Sequence, residues 1–413
     1  MAGLTFTTQG GMQKAMLRRG NQNLVLTAVR REPLLSRADL ARITGLSAST
    51  ITLIVNRLIG DGLIEEVVPA GTNRQVGRQP TPLRLRQGAR YVIGAEVGKT
   101  HSRVVLADWS RQTFQTRNVA WHDNPKVYLH RMYSVIRSFV RRLPPEAVLG
   151  IGASVPGTVD PHTGRVTAAE NLGWFGIDLP RLLVQDLQLP VFCDNEARLC
   201  ALAETWYQRQ EPPLSHIVFV TSRDGLGTGV IAGGRALYGA SGAAGEFGHI
   251  VLFPDGRPCT CGNRGCWEQY VSSSALERIY MELVSASSPA PSRRTAEEIV
   301  EQARKSDTAA LSALTEVAKH LGRGMVNLIM ALNPEEIIVG DYIAEGWDLI
   351  EPVLREMIRD RAPAYFLTGL RIRPSKHGRD AYVKGAIGLV LFNVFTDLGD
   401  KERRPVTRAS VGA

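Results

Sequence analysis

Long apolar runs are missing from this chain, and cysteine is scarce. No stretch of the 413 residues reaches the roughly 20 consecutive apolar residues that a membrane-spanning helix needs, and the first residues lack the apolar core of a signal peptide. The chain has five cysteines, and nothing else in it indicates secretion. We therefore expect a cytoplasmic protein without a membrane partner, in which the thiols stay reduced and Cys193 and Cys200 are core residues.

The positive charge is concentrated at the N-terminus. Residues 1–90 carry 13 Lys or Arg against 5 Asp or Glu, a net charge of +8, whereas the whole chain carries +9. A cationic segment attached to a nearly neutral body favours a nucleic-acid-binding module. A solvated basic surface would carry the same charge, so charge alone leaves that alternative open. At this length we expect two or three domains.

Three of the five cysteines share one short stretch with a histidine. The four candidate metal ligands are His249, Cys259, Cys261 and Cys266. Gly262 and Gly265 allow the loop between the cysteines to turn back on itself. Three thiolates and one imidazole form the four-coordinate tetrahedral shell that structural zinc prefers. Cysteines that only pack in a core would hardly show this spacing, and a disulfide would leave one of the three thiols unpaired. The stretch therefore predicts a metal site.

The spacing Gly-Glu-x-Gly-His, followed by Cys-x-Cys-Gly-x-x-Gly-Cys-x-Glu, resembles the ROK family, which joins bacterial sugar kinases to sugar-responsive repressors. The resemblance implies one structural Zn²⁺ per chain, held by the histidine and the three cysteines. It also implies that the second ring nitrogen of His249 faces a sugar hydroxyl, and that carboxylates accept hydrogen bonds from neighbouring hydroxyls. The sugar-binding residues implied in this way are Asn171, Asn195, Glu196, Glu246, His249 and Glu268.

Residues 21–90 have the pattern of a winged helix-turn-helix. Ser36 and Ser47 are typical N-caps, and Gly45 is expected to end the helix between them. Leu40 and Ile43 are expected to face inward from that helix. In the next helix, the apolar residues at 51, 54, 55 and 58 form one buried stripe, and the polar residues off the stripe would contact bases or phosphates. The predicted DNA-binding residues of this helix are Ser47, Ser49, Thr50, Thr52, Asn56 and Arg57.

A β-wing is expected after the third helix. Residues 63–68 and 83–86 have the pattern of two returning strands around a basic, turn-rich loop. The Gly77-Arg78-Gln79-Pro80 segment resembles the wing of ROK repressors, and Arg78 would enter the minor groove. A plain three-helix bundle is the alternative for any isolated helix-turn-helix pattern.

The rest of the chain is expected to be α/β. The ROK resemblance implies a two-lobed, actin-like (ribonuclease-H-like) fold, and the order of predicted elements after Tyr91 agrees with it. We expect a flexible tail at 1–20, the winged helix-turn-helix at 21–90, a first lobe at 91–210, a second lobe with the zinc motif at 211–377, a helix at 378–396 that completes the first lobe, and a tail at 397–413. Residues 225–229 are expected to form a glycine turn.

The nucleotide-binding positions decide between the two branches of the family. The catalytic base of ROK kinases is an aspartate, and the matching Glu196 is longer, which displaces the carboxylate by roughly 1.5 Å and lowers the rate. In the first phosphate turn, Glu96 and Lys99 replace Asp and Gly. Asp224 places a carboxylate beside the phosphates, and Asp341 replaces a glycine on the adenosine side. These departures favour a binding protein, so no catalytic residue is expected and Glu196 is vestigial.

The sequence therefore predicts a sugar-responsive transcriptional regulator, a repressor of carbohydrate genes. Its partners would be double-stranded operator DNA and a sugar or sugar derivative. It would form a homodimer or homotetramer, because two-fold protein symmetry matches a pseudo-palindromic operator. A sugar kinase that also binds DNA, and a zinc-stabilised sugar-binding module without a DNA role, are the two alternatives.

Overall fold

The computed structural model describes residues 9–67, 81–110, 113–207, 214–285 and 292–396. Within these ranges there is a helical N-terminal unit with a two-stranded wing, followed by two five-stranded sheets and a small three-stranded sheet. The α/β class predicted from the sequence is confirmed. Among the described helices, none is by itself long and apolar enough to cross a membrane, although the bent pair Arg37–Thr44 and Ala48–Gly60 passes the same test of length and composition together.

The N-terminal unit consists of three helices and two antiparallel strands. They are α1 (Gln9–Arg31), α2 (Arg37–Thr44), α3 (Ala48–Gly60), β1 (Ile64–Glu66) and β2 (Leu83–Leu85). The predicted helix ends are confirmed. Ser36 caps α2 in a capping box with Asp39, and Gly45 ends it in the left-handed conformation at φ 70°. The Ser47 hydroxyl accepts a hydrogen bond from the Thr50 amide and so caps α3.

Two expectations for these helices are wrong. The first helix begins at Gln9, inside the segment 1–20 that was expected to be a flexible tail, so residues 9–20 are helical. This segment has no proline, and eight of its twelve residues are Gln, Lys, Met, Leu or Arg, which form helices readily without an amphipathic pattern and offset its three glycines. Ile43, expected to face inward, is 49% exposed. The tip of the wing, with Arg78, lies outside the described residues.

The first large sheet is built from residues 91–195. In chain order the elements are β3 (Tyr91–Glu96), β4 (Arg103–Asp108), β5 (Thr113–Asn118), α4 (Pro125–Val140), β6 (Val148–Val155), β7 (Thr158–Val159), β8 (Val166–Ala169), β9 (Trp174–Ile177), α5 (Leu179–Val184), β10 (Val191–Asn195) and α6 (Glu196–Tyr207). The sheet order is β10-β6-β3-β4-β5, and β7, β8 and β9 form the small antiparallel sheet. Apolar residues of β3, β6 and α4 share one buried core, which fixes the position of the loops at the strand ends.

The second large sheet is built from residues 217–374. Its elements are β11 (Ile217–Ser222), β12 (Leu226–Ala232), β13 (Arg235–Ala236), α7 (Glu268–Val271), α8 (Ser273–Ser285), α9 (Ala296–Arg304), α10 (Thr308–Leu332), β14 (Glu336–Val339), α11 (Asp341–Glu345), α12 (Trp347–Arg359), α13 (Ala364–Leu367) and β15 (Arg371–Pro374). The sheet order is β13-β12-β11-β14-β15. The 25-residue α10 packs against α8, α9 and α12 over a large apolar core.

The last described helix, α14 (Ala381–Thr396), packs on β3 and β6 of the first sheet. The helix and the strands approach closely because the strands present glycine to the helix. A Cβ on Gly152 would lie 1.9 Å from the Ala386 carbonyl oxygen, a distance that no side chain allows. The helix therefore lies directly on the backbone of the sheet.

The same helix holds the N-terminal unit against the body. Near the end of α14, the Val394 carbonyl oxygen accepts a hydrogen bond of 3.2 Å from Asn23 Nδ2 of α1. Apolar residues of α1, α3, β2, β4 and α14 form one continuous buried cluster. The N-terminal unit is thus packed onto the first sheet through α14 and is not merely attached by a linker.

The glycine-rich segment after β11 is a strand rather than the predicted turn. Residues 223–225 make the turn, and Gly227 and Gly229 lie inside β12. A Cβ on Gly229 would lie 2.0 Å from the Ala197 carbonyl oxygen of α6. Close approach of a helix backbone and a tight turn both select glycine, which is why the sequence pattern did not separate them.

Candidate functional site

The four predicted metal ligands converge in the loops before α7. His249 ends a short 3₁₀ helix (Phe247–His249), and the three cysteines follow in a folded loop. One candidate ligand atom from each of the four residues lies within 4.8 Å of all the others. The loop reverses at Gly265, where φ is 75° and a Cβ would lie 1.7 Å from the Phe253 carbonyl oxygen. Glycine at this position therefore brings Cys266 back to the other ligands.

The donor atoms and their spacing fit a tetrahedral metal ion. The sulfurs of Cys261 and Cys266 are 3.7 Å apart, and the sulfur of Cys259 is 3.6 Å from Nδ1 of His249. Metal–sulfur bonds of about 2.3 Å at tetrahedral angles place two sulfurs about 3.8 Å apart. Burial raises the pKa of the Cys259 and Cys266 thiols, and a cation bound here would favour their thiolates. We call these four residues the metal cluster, and it can hold a metal ion.

Glu268 connects the metal cluster to the cleft between the two large sheets. Its Oε1 accepts a hydrogen bond of 3.0 Å from the Cys259 thiol and lies 3.9 Å from Nδ1 of His249. Its Oε2 would lie 3.0 Å from a Cβ on Gly225, and Asn171 Nδ2 would lie 3.4 Å from the same point. Glu268 and Asn171, which are far apart in the sequence, therefore meet at the turn between β11 and β12, where a side chain at position 225 would crowd both of them.

Glu246 lies beside the same group. Its carbonyl oxygen accepts a hydrogen bond of 3.1 Å from the His249 amide. The residue as a whole is exposed, but desolvation of its carboxyl raises the pKa of Glu246. His249 opposes this rise and Glu170 adds to it. Four predicted sugar-binding residues are therefore neighbours: Asn171, Glu246, His249 and Glu268.

The other two predicted sugar-binding residues lie at the start of α6. The amide of Asn195 donates a 2.9 Å hydrogen bond to the Gly157 carbonyl oxygen, and its Oδ1 accepts one of 3.1 Å from the Arg198 amide. Asn195 therefore caps α6 and holds the loop after β6. Burial raises the pKa of the Glu196 carboxyl to about 7, and Arg223 opposes this rise. Glu196 thus belongs to the side of the cleft that carries Arg223.

A network of buried charges occupies that side of the cleft. Glu96, at the end of β3 and 1% exposed, accepts hydrogen bonds of 2.7 Å from both Arg103 Nε and Arg223 Nη2. Arg223, in the turn after β11, has its guanidinium 3.7 Å from the ring centre of Tyr382 and its Nε 3.8 Å from Asp341 Oδ1. We call Glu96, Arg103, Arg223 and Asp341 the arginine network. It joins the first sheet, the second sheet and the first turn of α14.

Asp341 keeps a backbone conformation typical of glycine. Its φ is 56°, in the left-handed region that aspartate tolerates better than most residues. Its Oδ2 accepts hydrogen bonds of 2.8 Å from Thr221 Oγ1, 2.9 Å from the Ser222 amide and 2.7 Å from the Tyr382 hydroxyl. A cavity of about 500 Å³ remains between this carboxylate and the loop that follows β3. Its walls are lined by charges that are already paired with one another.

The predicted DNA-binding residues of α3 lie at or near the surface. Ser47, Ser49, Thr52, Asn56 and Arg57 are exposed, and Thr50 is half-buried. Several of them already have partners. Thr52 Oγ1 donates to the Ala48 carbonyl oxygen at 2.8 Å, and Asn56 Oδ1 accepts from Arg37 Nη2 at 3.1 Å. Arg57 lies 3.8 Å from Asp61, a solvated pair that phosphate can replace at little cost.

Sequence reasoning missed the side chains that complete both sides of the cleft. Arg103, Arg223 and Tyr382 were not assigned any role. Glu170, close to Glu246, was also missed. The sequence did offer one signal for Arg223. Buried acidic residues at positions 96 and 341 would require a cation nearby, and the turn at 223–225 supplies one.

Comparison with known proteins separates the body of the chain from its N-terminal unit. The sequence profile of the ROK family matches residues 92–392, and a profile described as winged helix-turn-helix DNA-binding matches residues 19–65. The xylose repressor of Caldicellulosiruptor bescii is 29% identical over 398 residues, which cover 92% of this chain and 98% of the repressor.

The other two comparisons concern a kinase and a solved structure. A glucokinase of Halalkalibacterium halodurans is 33% identical over 252 residues, which cover 59% of this chain and 76% of the kinase. The crystal structure of a ROK family transcriptional regulator, described as a homolog of the Escherichia coli MLC protein, has a TM-score of 0.79 at 24% identity and covers 93% of this chain and 98% of that chain. The likeness to the xylose repressor thus extends over the N-terminal unit as well as the body.

Proposed function

We propose that this member of the ROK family senses a sugar beside the metal cluster and reports it to operator DNA. The chain is one of the family's transcriptional repressors and has a DNA-binding winged helix-turn-helix. One observation carries the proposal. The winged helix packs on the end of α14, and the first turn of the same helix is bonded to the arginine network in the cleft. A single rigid element therefore touches both the cleft and the DNA-binding unit.

Zinc is the metal in this proposal, with one ion per chain in a structural role. The three thiolates and Nδ1 of His249 would hold it, and the donor set is the one that structural zinc prefers. With Nδ1 engaged in this way, Nε2 carries the ring proton and becomes a donor of fixed direction. The zinc supplies no chemistry to the ligand beyond holding this ring.

The sugar would bind where Asn171, Glu246, His249 and Glu268 meet. Carboxylates accept hydrogen bonds from vicinal hydroxyls, and such charge-assisted bonds are stronger than neutral ones. The positions of Asn171 and Glu268 at Gly225 support a small polyol ligand, because an amide and a carboxylate side by side can bind neighbouring hydroxyls of one sugar. Xylose is the first sugar to test, since the repressor compared above is named for it. Asn195 and Glu196 would bound the pocket on the α6 side.

The same cleft would not phosphorylate the sugar. Asp224 places a carboxylate beside the turn where a nucleotide would carry its phosphates, and like charges repel. Arg223 is already paired with Glu96 and Asp341 and is not available to a phosphate. No catalytic residue is therefore assigned, and Glu196 serves the pocket rather than proton transfer.

Sugar binding would favour one arrangement of the two large sheets. A ligand shifts such an equilibrium only by its differential affinity for the two states. The pair between Glu96 and Arg223 spans the two sheets, so their relative movement acts on Tyr382 and on α14. In a homodimer or homotetramer, this would change the separation of two winged helices on a pseudo-palindromic operator.

The test measures binding of the full chain to the DNA upstream of its own gene by fluorescence anisotropy, with a panel of pentoses, hexoses, amino sugars and their phosphates. One sugar is expected to change the DNA affinity at least about tenfold, as allosteric couplings typically do. Glu268→Gln should lose the sugar response and keep DNA binding, whereas the exposed Glu282→Gln serves as the matched control and should keep both. Steady sugar phosphorylation with ATP at ordinary enzymatic rates would contradict the proposal in favour of a kinase.

A further inference from the structure

We propose that Leu53 is a specificity-determining residue that contacts the 5-methyl group of a thymine in the major groove. This inference rests on the proposed function, because it concerns the operator that the winged helix would bind. Leu53 lies in the middle of α3 and was not among the residues predicted to contact DNA. Its side chain is 74% exposed, whereas Ile51, Val55 and Leu58 of the same helix are fully buried.

The position of Leu53 on the helix places it among the groups that face outward. Ser49 lies one turn before it and Asn56 about one turn after it, so the three share a ridge opposite the buried stripe. The exposed Arg42 and Arg57 lie on α2 and α3 and supply the positive charge that phosphates need. Polar and cationic neighbours favour DNA over an apolar protein surface as the occupant of this ridge.

The polar side chains of the ridge, and that of the neighbouring Thr52, are poorly placed to read bases alone. The Ser49 hydroxyl is 2.9 Å from the Ser47 hydroxyl, and Thr52 Oγ1 donates to the helix backbone. Asn56 is held by Arg37, whose Nη1 donates to Glu66 at 2.6 Å. These bonds hold the polar side chains in place. Leu53 is then the large apolar side chain that the ridge presents. An aliphatic side chain in the major groove distinguishes thymine by its methyl group.

The test removes the methyl group from the DNA and the leucine from the protein. A site is selected from random DNA with the full chain, and each thymine is then replaced in turn by uracil, which pairs identically and lacks the methyl. For the unmodified protein, one thymine in each half-site is expected to show about a three- to tenfold loss of affinity, the effect of one buried methyl group. In Leu53→Ala this sensitivity should disappear, because the variant binds the thymine and uracil sites equally.

Ile43→Ala is the matched control, since Ile43 is an exposed aliphatic residue of the neighbouring α2. It should keep the full sensitivity to uracil. Specific binding without any uracil-sensitive thymine, or sensitivity that persists in Leu53→Ala, would overturn the inference. So would a change in oligomeric state of Leu53→Ala in light scattering, which would assign the leucine to a protein contact. Failure to select any DNA would instead refute the proposed function, and the inference with it.

Discussion

The two sides of the cleft use their charges in opposite ways. Beside the metal cluster, Glu246 is open to solvent and Glu268 directs one oxygen toward Gly225. On the other side, both oxygens of Glu96 are bound by guanidinium groups, and Asp341 has partners in β11 and α14. Polar groups that keep free valences can recognise a ligand, whereas polar groups that satisfy one another hold elements together. The first side is therefore suited to binding and the second to mechanical connection.

Removal of Arg223 is expected to have the largest effect, because it breaks the connecting side. Arg223→Ala leaves buried carboxylates with a lost partner, which costs about 3–5 kcal/mol of unfolding free energy. Arg223→Lys keeps the charge but not the planar, forked guanidinium group. Its free energy of unfolding should therefore lie between those of Arg223→Ala and the unmodified protein. Urea unfolding of the full chain measures both variants. A loss of unfolding free energy under about 1 kcal/mol for Arg223→Ala would show that the arginine network contributes little to holding the two sheets together.

Loss of one sulfur ligand tests the binding side. Cys261 is exposed, so Cys261→Ser should fold and yet lower zinc affinity by more than about 100-fold, beyond the loss seen for outer-shell changes. Zinc is counted by plasma mass spectrometry after dialysis against a chelator. Cys193→Ala, outside the metal cluster, is the control and should retain one zinc per chain. Equal zinc content in the two variants would argue against the assigned ligands.

A smaller change on the binding side separates ligand recognition from folding. Glu246→Gln removes a charge from an acceptor without removing the acceptor, so the sugar should bind about tenfold more weakly. Calorimetric titration with the sugar found in the panel gives the affinity. Zinc content and urea midpoint should stay unchanged, and a parallel fall in the urea midpoint would mean that Glu246 supports the fold instead.

The smallest expected effect concerns Glu196, on the side of the cleft that carries Arg223. Its carboxyl has a pKa of about 7 rather than 4.5, chiefly because it is buried. Between pH 4.5 and about pH 7, the folded chain therefore binds more protons than the unfolded chain. The free energy of unfolding falls as pH rises through this range and then levels off. The Glu196 residue as a whole is only half-buried, and solvent screening reduces the full effect of such a pKa shift, so the loss of unfolding free energy should be on the order of 1 kcal/mol. Glu196→Gln should lack this component, and identical urea profiles for variant and unmodified protein at pH 5 and pH 8 would disprove it.

Local chemistry made the metal cluster and the helix ends predictable. Ser36, Gly45 and Ser47 act on backbone groups within four residues, and the cluster is confined to the short segment from His249 to Cys266. Caps and ligand spacings of this kind depend on short-range geometry that a sequence displays directly. The kinds of elements that follow, and their order, could be predicted for the same reason.

The pairing of residues far apart in the chain could not be predicted from the sequence. Arg223 and Glu96 are 127 positions apart, and no local pattern marks two charged residues as partners. The glycines of β12 were predicted as a turn because the helix that requires them, α6, is distant along the chain. The side-chain amide of Asn195 is bonded to backbone groups of the loop after β6 and of α6, a use that only the folded loop reveals. The sugar-binding roles of Asn195 and of the other five residues stay predictions.

The placement of α14 has a consequence for biosynthesis. The ribosome makes the winged helix first, but the surface on which it packs is the last described element of the chain. Until α14 emerges, β3 and β6 expose the glycine backbone that it covers, and the first sheet stays incomplete. A nascent or prematurely terminated chain would thus carry the N-terminal helices without the α14 surface on which they pack.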